Sequence, residues 1–477
     1  MIKEIERLYQ KGDLESALEK LKSIQSLKRD KSWYELFIKV SVKLERWNDA
    51  RKAFLYGYNN IDKLDFSKIG NELLESYKMK SLNHIEKMCN DVKQKYQGKV
   101  FLIVGSMFHY ADGLIKLLRK CGLTPVIVET SAVGSFKQNY TLLSSMNVKI
   151  LSPSAVLDYI RKNFKDILFV FRTGCFLGGH DIRYSSGGAD VDQIDAFYKI
   201  TELLKKNNKD VISILAFDGD LFLNSKEWNR WLKKRIKNVD YILVDTDNLG
   251  YYMQFYLGID DYKVIRVEVP DIEDVYVRIF PKYEKKVLLL GRWFGGPSPL
   301  SDLSIVYLSK SGLKFQIGIG ESYHQVIIDR KRFSLEYGKV AFGLGYFYDF
   351  YLKEKKEENV IKLIFEGNYS HYQIPSLQLY YYPLIYGLTN MAGKITTYLQ
   401  YGLIPVIPYD QNDFHREIIH KRMAIGIDKK LLFFNPLEYS DDFISWYRIN
   451  IGMNLDTFTI AKFAEFIHNL LVKGDEE

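Results

Sequence analysis

Residues 1–96 alternate apolar and charged positions with helical spacing, and no glycine-bounded β-branched run interrupts them. This pattern predicts amphipathic helices throughout. Segments 14–21 and 47–54 align at an offset of 33 residues, with Ala17 and Ala50 at matching positions where two helices would cross. The offset is close to the tetratricopeptide period of about 34 residues. A plain helical bundle gives the same pattern, so a helical-repeat domain and a simple bundle both remain open.

After Lys99 the pattern changes to short apolar runs separated by amphipathic stretches. The first series of predicted strands covers residues 100–105, 125–129, 148–151, 167–172, 211–218, 241–245 and 264–269. A second series covers residues 287–291, 315–320, 360–365, 404–408 and 424–427. Continuous apolar strands that alternate with helices predict parallel sheets covered on both faces.

The expected fold class is therefore α/β, with two tandem doubly wound Rossmann-like domains preceded by an all-α helical-repeat domain. The expected boundaries are 1–96, 97–275 and 280–450, followed by a segment 451–477 whose helix, 457–472, returns to pack on the first lobe. Segments 299–302 and 337–350 are expected to be irregular insertions. Ligands of doubly wound sheets bind at the carboxyl ends of the strands, so two such sheets in tandem predict a cleft between them.

Composition adds limits to this picture. A chain of 477 residues that is 47% hydrophobic and 26% charged is typical of a folded protein with several cores. The net charge of +8 favours anionic partners, while the absence of a dense basic run argues against nucleic acid. The amino end is acidic and helical, and no apolar run is long enough to span a bilayer, so neither secretion nor insertion is expected.

The three cysteines, Cys89, Cys121 and Cys175, are widely spaced. Their spacing predicts neither a disulfide framework nor a zinc site, and it indicates a reducing cytoplasm.

The segment with the strongest chemical signal opens a short predicted helix that leads into strand 404–408. It places Gly393, Lys394, Thr396 and Thr397 at the start of that helix. A helix amino terminus offers unpaired N–H groups and the positive end of the helix dipole, so a diphosphate can bind there. A solvated lysine at a helix start is the structural alternative for Lys394.

From Lys394 to Val406 the chain resembles the donor-binding segment of GT-B glycosyltransferases, close to the bacterial group 1 type. The resemblance includes Tyr398 and Pro405, with one extra residue before the proline. In many family members a glutamate stands at the position of Thr397. Either Glu366 or another carboxylate holds the donor ribose here, or the donor is held differently.

Two further segments extend the resemblance. Ile364–Gly367 and the tyrosine-rich run after it match the family's strand, glycine and helix order, and Gly291-Arg292 matches the dipeptide that opens the second lobe. The resemblance implies that Arg292, with Gly295 and Gly296, binds the pyrophosphate. A simple turn after a strand is the alternative for these residues.

In the first lobe, the segment from Val100 to Leu118 resembles the acceptor lobe of the same family, where a loop histidine can act as general base. His109 is that candidate, because an imidazole titrates near neutral pH and can accept the proton of a sugar hydroxyl. His180, within a glycine-rich stretch, is the rival, and Asp112 or Asp181 could orient the base. A surface histidine without a role is the alternative.

Two Asp-x-Asp pairs end apolar strands, Asp218 with Asp220 and Asp245 with Asp247. Carboxylates so placed can hold Mg²⁺ or Mn²⁺, but aspartates at strand ends more often cap helices and form turns. No metal and no cofactor are expected, with the nucleotide-sugar as substrate.

The expected activity is that of a hexosyltransferase-type enzyme that transfers sugar from a nucleotide-sugar donor to a saccharide or protein acceptor, in polysaccharide biosynthesis or protein glycosylation. The amino-terminal helices would recruit a protein partner, and the enzyme would act in the cytoplasm, peripherally at the inner membrane face. The alternatives are a sugar-nucleotide epimerase or polyol-phosphate transferase, and an inactive binding protein that acts through its helices.

Overall fold

The computed structural model describes fifteen stretches of the chain and two isolated residues. They are residues 1–57, 61–105, 111–128, 143–176, 188–218, 233, 236, 238–244, 246–255, 258–267, 275–289, 315–317, 337–344, 393–409, 413–427, 435–454 and 460–473. Within this part of the chain, no helix combines the length and apolar character that a bilayer crossing needs.

The amino-terminal region is helical. Its elements are α1 (Ile2–Gln10), α2 (Leu14–Ser23), α3 (Lys31–Lys43), α4 (Trp47–Gly57) and α5 (Lys63–Tyr96). A side chain caps the amino terminus of α3, where Asp30 accepts a hydrogen bond from the Trp33 amide at 2.9 Å. Ala17 and Ala50 are both fully buried. The tetratricopeptide assignment stays a prediction.

The 34-residue helix α5 belongs to two hydrophobic cores. Its first half, with Leu73 and Leu74, shares one core with α1 to α4 and with the second sheet. Its second half, with Ile85 and Val92, shares another core with the first sheet. Asn71 fixes it to the chain between the sheets, because its amide both donates to the Ile279 carbonyl and accepts from the Ile279 amide, each at 2.9 Å.

The first sheet has seven parallel strands in the order β3-β2-β1-β4-β5-β6-β7. They are β1 (Val100–Val104), β2 (Thr124–Val128), β3 (Lys149–Leu151), β4 (Ile167–Phe176), β5 (Ile212–Asp218), β6 (Tyr241–Val244) and β7 (Val264–Arg266). Helices α6 (Ala111–Lys120), α7 (Pro153–Asn163), α8 (Gly188–Asn207) and α9 (Asp247–Phe255) separate several of them. All five residues of β1 are buried, as its continuous apolar run predicts.

The second sheet has five parallel strands in the order β12-β11-β10-β8-β9. They are β8 (Glu284–Leu289), β9 (Phe315–Ile317), β10 (Val340–Leu344), β11 (Ile404–Pro408) and β12 (Ile425–Ile427). Helices α10 (Gly393–Gln400) and α11 (Asp413–His420) precede β11 and β12. A mixed α/β fold with parallel sheets is therefore confirmed.

One sequence-based expectation is wrong in this sheet. Residues 337–350 were expected to be an irregular insertion, yet β10 is the central strand, paired with β8 on one side and β11 on the other. The predicted strand 360–365 lies outside the described residues. Gly343 disguises β10 in the sequence, because glycine weakens an isolated strand. Here a neighbouring ring requires it: a Cβ on Gly343 would lie 2.3 Å from the Tyr398 side chain.

The carboxyl-terminal helices return to both sheets. Helix α12 (Asp441–Gly452) packs beside the second sheet and contacts α5. Helix α13 (Ile460–His468) contacts α5 and α6, and its Phe463 ring lies edge-on to Phe171 of β4 at 6.2 Å. His468 Nε2 lies 3.1 Å from Asp91 Oδ2 on α5.

The cysteine expectation also needs correction. Cys89 near the end of α5 and Cys121 just after α6 are joined as a disulfide, and both are buried. They are 32 residues apart in sequence, and the packing of α5 against α6 brings them together. Spacing alone could not show this contact.

Arg448 ties α12 to the amino edge of the second sheet. Its fully buried guanidinium donates to the carbonyls of Arg278, Gly338 and Val340 at 3.0, 2.8 and 2.7 Å. Burial lowers the pKa of Arg448 to about 10. Arg448 thereby supplies hydrogen-bond donors to three backbone carbonyl groups at the amino edge of the second sheet.

We expect Gly343→Ala to destabilise the protein by about 1–3 kcal/mol, because the new methyl group must displace the Tyr398 ring in a filled core. A lower melting temperature by circular dichroism would show this. Gly250→Ala in α9 is the matched control, since its Cβ would meet no atom closer than 3.6 Å. An unchanged melting temperature for Gly343→Ala would contradict the close packing described above.

Candidate functional site

The strand order of the second sheet reverses between β8 and β10. From β8 the chain adds β9 on one side, whereas β10, β11 and β12 extend the sheet on the other. Parallel sheets bind ligands outside the carboxyl ends of the strands at such a reversal. The described strands end there at Leu289 and Leu344. This crevice is the candidate donor site.

Helix α10 begins on the same edge of the sheet. It precedes β11, which runs parallel to β10, and only residues 401–403 separate helix and strand. The helix therefore runs antiparallel to the strands, and its amino terminus lies at their carboxyl ends. Tyr398 marks its depth, because the hydroxyl donates to the Leu288 carbonyl of β8 at 3.1 Å.

The first turn of α10 lies beyond that contact. Five residues separate Gly393 from Tyr398, a rise of about 7 Å along a helix axis. Gly393 and Lys394 are the first two helical residues, so the amino-terminal N–H groups of α10 lie at the β8–β10 crevice. The Lys394 side chain lies outside the described atoms.

The other predicted residues of this helix are enclosed. Thr396 keeps 7% of its surface exposed, Thr397 1% and Tyr398 none. Both threonines have partners within the structure, and the Tyr398 hydroxyl is engaged by Leu288. Their direct contact with a donor stays a prediction, while their packing holds α10 in place.

The remaining predicted site residues lie outside the described residues. These are His109, His180 and Asp181 of the catalytic set, and Arg292, Gly295, Gly296 and Glu366 of the donor set. Their roles stay predictions.

The first sheet has its own reversal between β1 and β4. Gly105 follows β1 with φ of +97°, a backbone conformation that favours glycine. Beside it, Arg172 of β4 is fully buried, and its Nη1 donates to the Val104 carbonyl at 3.4 Å. A guanidinium thus lies at the crevice of the first sheet, a position that sequence reasoning had treated only as a strand end.

The two sheets meet through their carboxyl edges. Asp247 begins α9, which follows β6 of the first sheet, and Asp413 begins α11, which follows β11 of the second. The Asp247 backbone amide donates to Asp413 Oδ2 at 2.8 Å. Each helix carries an acidic residue at its amino end, which offsets the repulsion between two facing positive helix ends.

Arg266 at the end of β7 completes this contact, which we call the interlobe cluster: Asp247, Arg266, Asp413 and Glu417. Its guanidinium lies 3.0 Å from Asp247 Oδ2, 3.6 Å from Asp413 Oδ2 and 2.8 Å from Glu417 Oε2. One arginine therefore links a carboxylate of its own sheet to two carboxylates of the other. The i, i+4 spacing places Asp413 and Glu417 on one face of α11, but it does not identify Arg266 as their partner.

The ionisation of Glu417 is set within this cluster. Partial burial raises the pKa of Glu417, but a hydrogen bond from Lys421 and the charges of Lys421 and Arg266 outweigh it, so the pKa lies below its usual value. The carboxylate therefore remains charged well into the acidic range.

The cluster also decides how Asp247 is used. Its carboxylate pairs with Arg266, so it serves the contact between the sheets. Among the described residues, no group of three or more histidine, cysteine, aspartate or glutamate side chains is arranged to hold a metal ion.

Comparison with known proteins found several similar solved structures. The chain is similar to a glycosyltransferase from Rickettsia africae ESF-5, at 9% sequence identity and a TM-score of 0.46, over 79% of this chain and 99% of that one. It is also similar to TarM, at 10% identity and a TM-score of 0.38, again over 79% and 99%.

No protein-family model matches the chain, and no curated protein matches it in sequence. The functional assignment therefore depends on the chain's own sheets and residues.

We expect the interlobe cluster to weaken at low pH. The folded-state pKa of Glu417 is depressed, so its stabilising contribution is present above the unfolded-state pKa and is lost as pH falls through the lower folded-state value. Melting temperatures measured from about pH 7 to about pH 3 should fall less steeply for Glu417→Gln than for the wild type.

The coupling between Arg266 and Glu417 can be measured separately. Both side chains are partly exposed, so a double-mutant cycle with alanine should give less than about 1 kcal/mol. Lys286→Ala with Glu284→Ala, an exposed pair on β8 away from the contact, is the control cycle. Parallel pH profiles for wild type and Glu417→Gln would argue against the cluster.

Proposed function

We propose that this protein is a glycosyltransferase of the two-lobed GT-B type, which transfers a sugar from a nucleotide-sugar donor to a saccharide or protein acceptor. The observation that carries the proposal is the placement of the α10 amino terminus at the β8–β10 crevice, on the sheet edge that meets the first sheet. In this proposal the helix terminus forms an anion site on the edge of the second sheet that contacts the first sheet.

The donor diphosphate would bind to the first turn of α10. Its backbone N–H groups would bond the phosphate oxygens, and the positive helix end with the charge of Lys394 would offset the developing charge of the leaving nucleoside diphosphate. Because Thr396 and Thr397 are buried, backbone groups carry more of this binding than the threonine hydroxyls. Arg292 and Glu366 complete the proposed donor set, for pyrophosphate and ribose.

The acceptor hydroxyl would bind on the first lobe. His109, five residues after the end of β1, would accept its proton as the hydroxyl attacks the anomeric carbon, with His180 as the alternative base and Asp181 as its partner. The sugar–phosphate bond breaks in the same step, and the nucleoside diphosphate leaves with the electron pair. Bringing the lobes together excludes water, which would otherwise hydrolyse the donor.

Donor binding can be tested with nucleoside diphosphates. A ligand that binds only the folded state raises the melting temperature, so at least one of UDP, GDP, ADP, CDP or TDP should stabilise the wild type. Lys394→Ala should weaken that nucleotide by roughly tenfold or more, as loss of a charged contact does. Calorimetric titration gives the two dissociation constants.

Lys339→Ala is the matched control for this experiment. Lys339 is exposed and precedes β10 at the opposite edge of the same sheet, so its removal changes the net charge equally without touching the α10 terminus. Equal affinities for Lys394→Ala and Lys339→Ala would exclude the α10 site. If no nucleotide stabilised the wild type, the binding-protein alternative would replace the enzyme.

The general base is tested by turnover. His109→Ala should lower kcat by roughly 10²–10⁴-fold while the nucleotide dissociation constant is kept, because the imidazole acts on the acceptor proton and not on the diphosphate. His84→Ala, an exposed histidine on α5, should leave both unchanged.

A radiolabelled donor supplies the readout, because sugar transferred to an acceptor separates transfer from epimerisation or polyol-phosphate transfer. If His109→Ala kept full turnover and His180→Ala lost it, the base would be His180.

A further inference from the structure

A groove separates the amino-terminal helices from the second sheet's helices. It has a volume of about 740 Å³. One wall is a single face of α4 that carries Arg51, Lys52, Leu55 and Tyr56, at helical spacing. The other wall combines the end of α11 with the start of α12. Arg51 also connects the two walls, because its Nη1 donates a hydrogen bond to Asn450 Oδ1 of α12 at 3.4 Å.

The groove is strongly cationic. Its described lining holds five basic residues, Arg51, Lys52, His420, Lys421 and Arg422, against the one acidic residue Asp442. Within the described part of the chain, Lys421 is the one among them with a carboxylate partner, Glu417 at 2.7 Å. The Arg422 guanidinium lies over the Trp446 ring, 4.6 Å from its centre. Such a concave arrangement attracts anions from solution.

Apolar rings accompany these charges. Phe443 and Trp446 meet edge to face at 6.2 Å on one wall, and Tyr56 on the other wall keeps 73% of its surface exposed. Tryptophan, tyrosine and arginine are the residues that protein interfaces concentrate at their centres. The lining therefore shares its aromatic and arginine content with protein interfaces.

The groove continues into a second one. A neighbouring groove of about 460 Å³ shares Arg51 and Asn454 with the first. It adds the cations Arg46 and Lys80, the Trp47 ring, and the carboxylates Glu45 and Asp49, of which Asp49 pairs with Arg46. The Lys80 ammonium lies 5.6 Å from the centre of the Trp47 ring. We call the two adjoining grooves the track; its excess of positive charge lies in the first groove, and aromatic rings line both.

We propose that this track binds an acidic segment of a partner protein. Glutamate or aspartate side chains would pair with Lys52, His420 and Arg422, and an aromatic side chain of the segment would lie between Tyr56 and Trp446. A concave track suits a narrow polypeptide, whereas a lipid surface reaches only protruding groups. This site is distinct from the α10 crevice and is independent of the glycosyl-transfer proposal.

The test uses the full-length protein and a short fluorescein-labelled peptide in which glutamates flank one tryptophan. Fluorescence anisotropy should show saturable binding that weakens as salt rises, because the contact depends on charge. A peptide with glutamine in place of each glutamate should bind roughly tenfold or more weakly. Phosphatidylglycerol vesicles form a third arm.

Charge reversal on each wall locates the site. Lys52→Glu and His420→Glu should each weaken the acidic peptide by roughly tenfold or more, and Lys52→Gln should do so less. Lys87 is an exposed lysine on α5 outside the groove lining. Lys87→Glu makes the same charge change as Lys52→Glu and should leave the affinity for the peptide unchanged. Melting temperatures and nucleotide binding of the variants should match the wild type, which separates this test from that of the α10 site.

Three results would overturn the proposal. They are no binding of the acidic peptide to wild type, equal binding of the glutamine peptide, and equal loss in Lys52→Glu and Lys87→Glu. Vesicle binding that depends on Lys52 while the peptide fails to bind would assign the track to an anionic membrane instead.

Discussion

The contact between Tyr398 and Gly343 governs the second half of the molecule. The Tyr398 ring fills the volume that the Cβ of any other residue type at position 343 would occupy. Its hydroxyl donates a hydrogen bond to the backbone of β8. One side chain of α10 thus touches both strands that border the crevice. Its packing sets how far the helix amino terminus projects beyond the strand ends, and the proposed anion site depends on that position.

The interlobe cluster gives the crevice its counterpart. A single helix terminus beside a sheet can bind an anion, but it selects no reaction, because no second binding surface lies opposite it. Asp247, Arg266, Asp413 and Glu417 join the carboxyl edges of the two sheets, so ligands bound at the two edges, as proposed, would lie near each other. These side chains are partly exposed, and their attraction is modest. A contact of this strength is compatible with the lobe movement that the proposed transfer would use.

Continuous apolar runs were reliable predictors here. The strand predicted at 404–408 coincides with β11, and the run at 100–105 differs from β1 by one residue, because a strand buried on both faces leaves little room for polar side chains. The start of α10 was also readable, since its glycine and lysine precede a run that ends at Gly402, where φ is +75°.

Features that depend on tertiary contact were not readable. Strand β10 was not predicted, because the ring that requires a glycine at position 343 belongs to Tyr398, 55 residues later in the chain. The pairing of Cys89 with Cys121 and the meeting of Arg266 with Glu417, 151 residues apart, arise only when separate elements pack. Local periodicity reports burial along one element, and it carries no information about which distant side chain lies opposite.

Helix α5 has a mechanical consequence. At about 1.5 Å per residue it extends for roughly 50 Å, with Leu73 and Leu74 anchored in the core of the second sheet and Ile85 in that of the first. Any swing of one sheet relative to the other must be absorbed by flexing the ten residues between Leu74 and Ile85, or by detaching one end from its core. The helix therefore resists a change in the angle between the two sheets. Such a change would also shift α1 to α4, which share a core with the first half of α5.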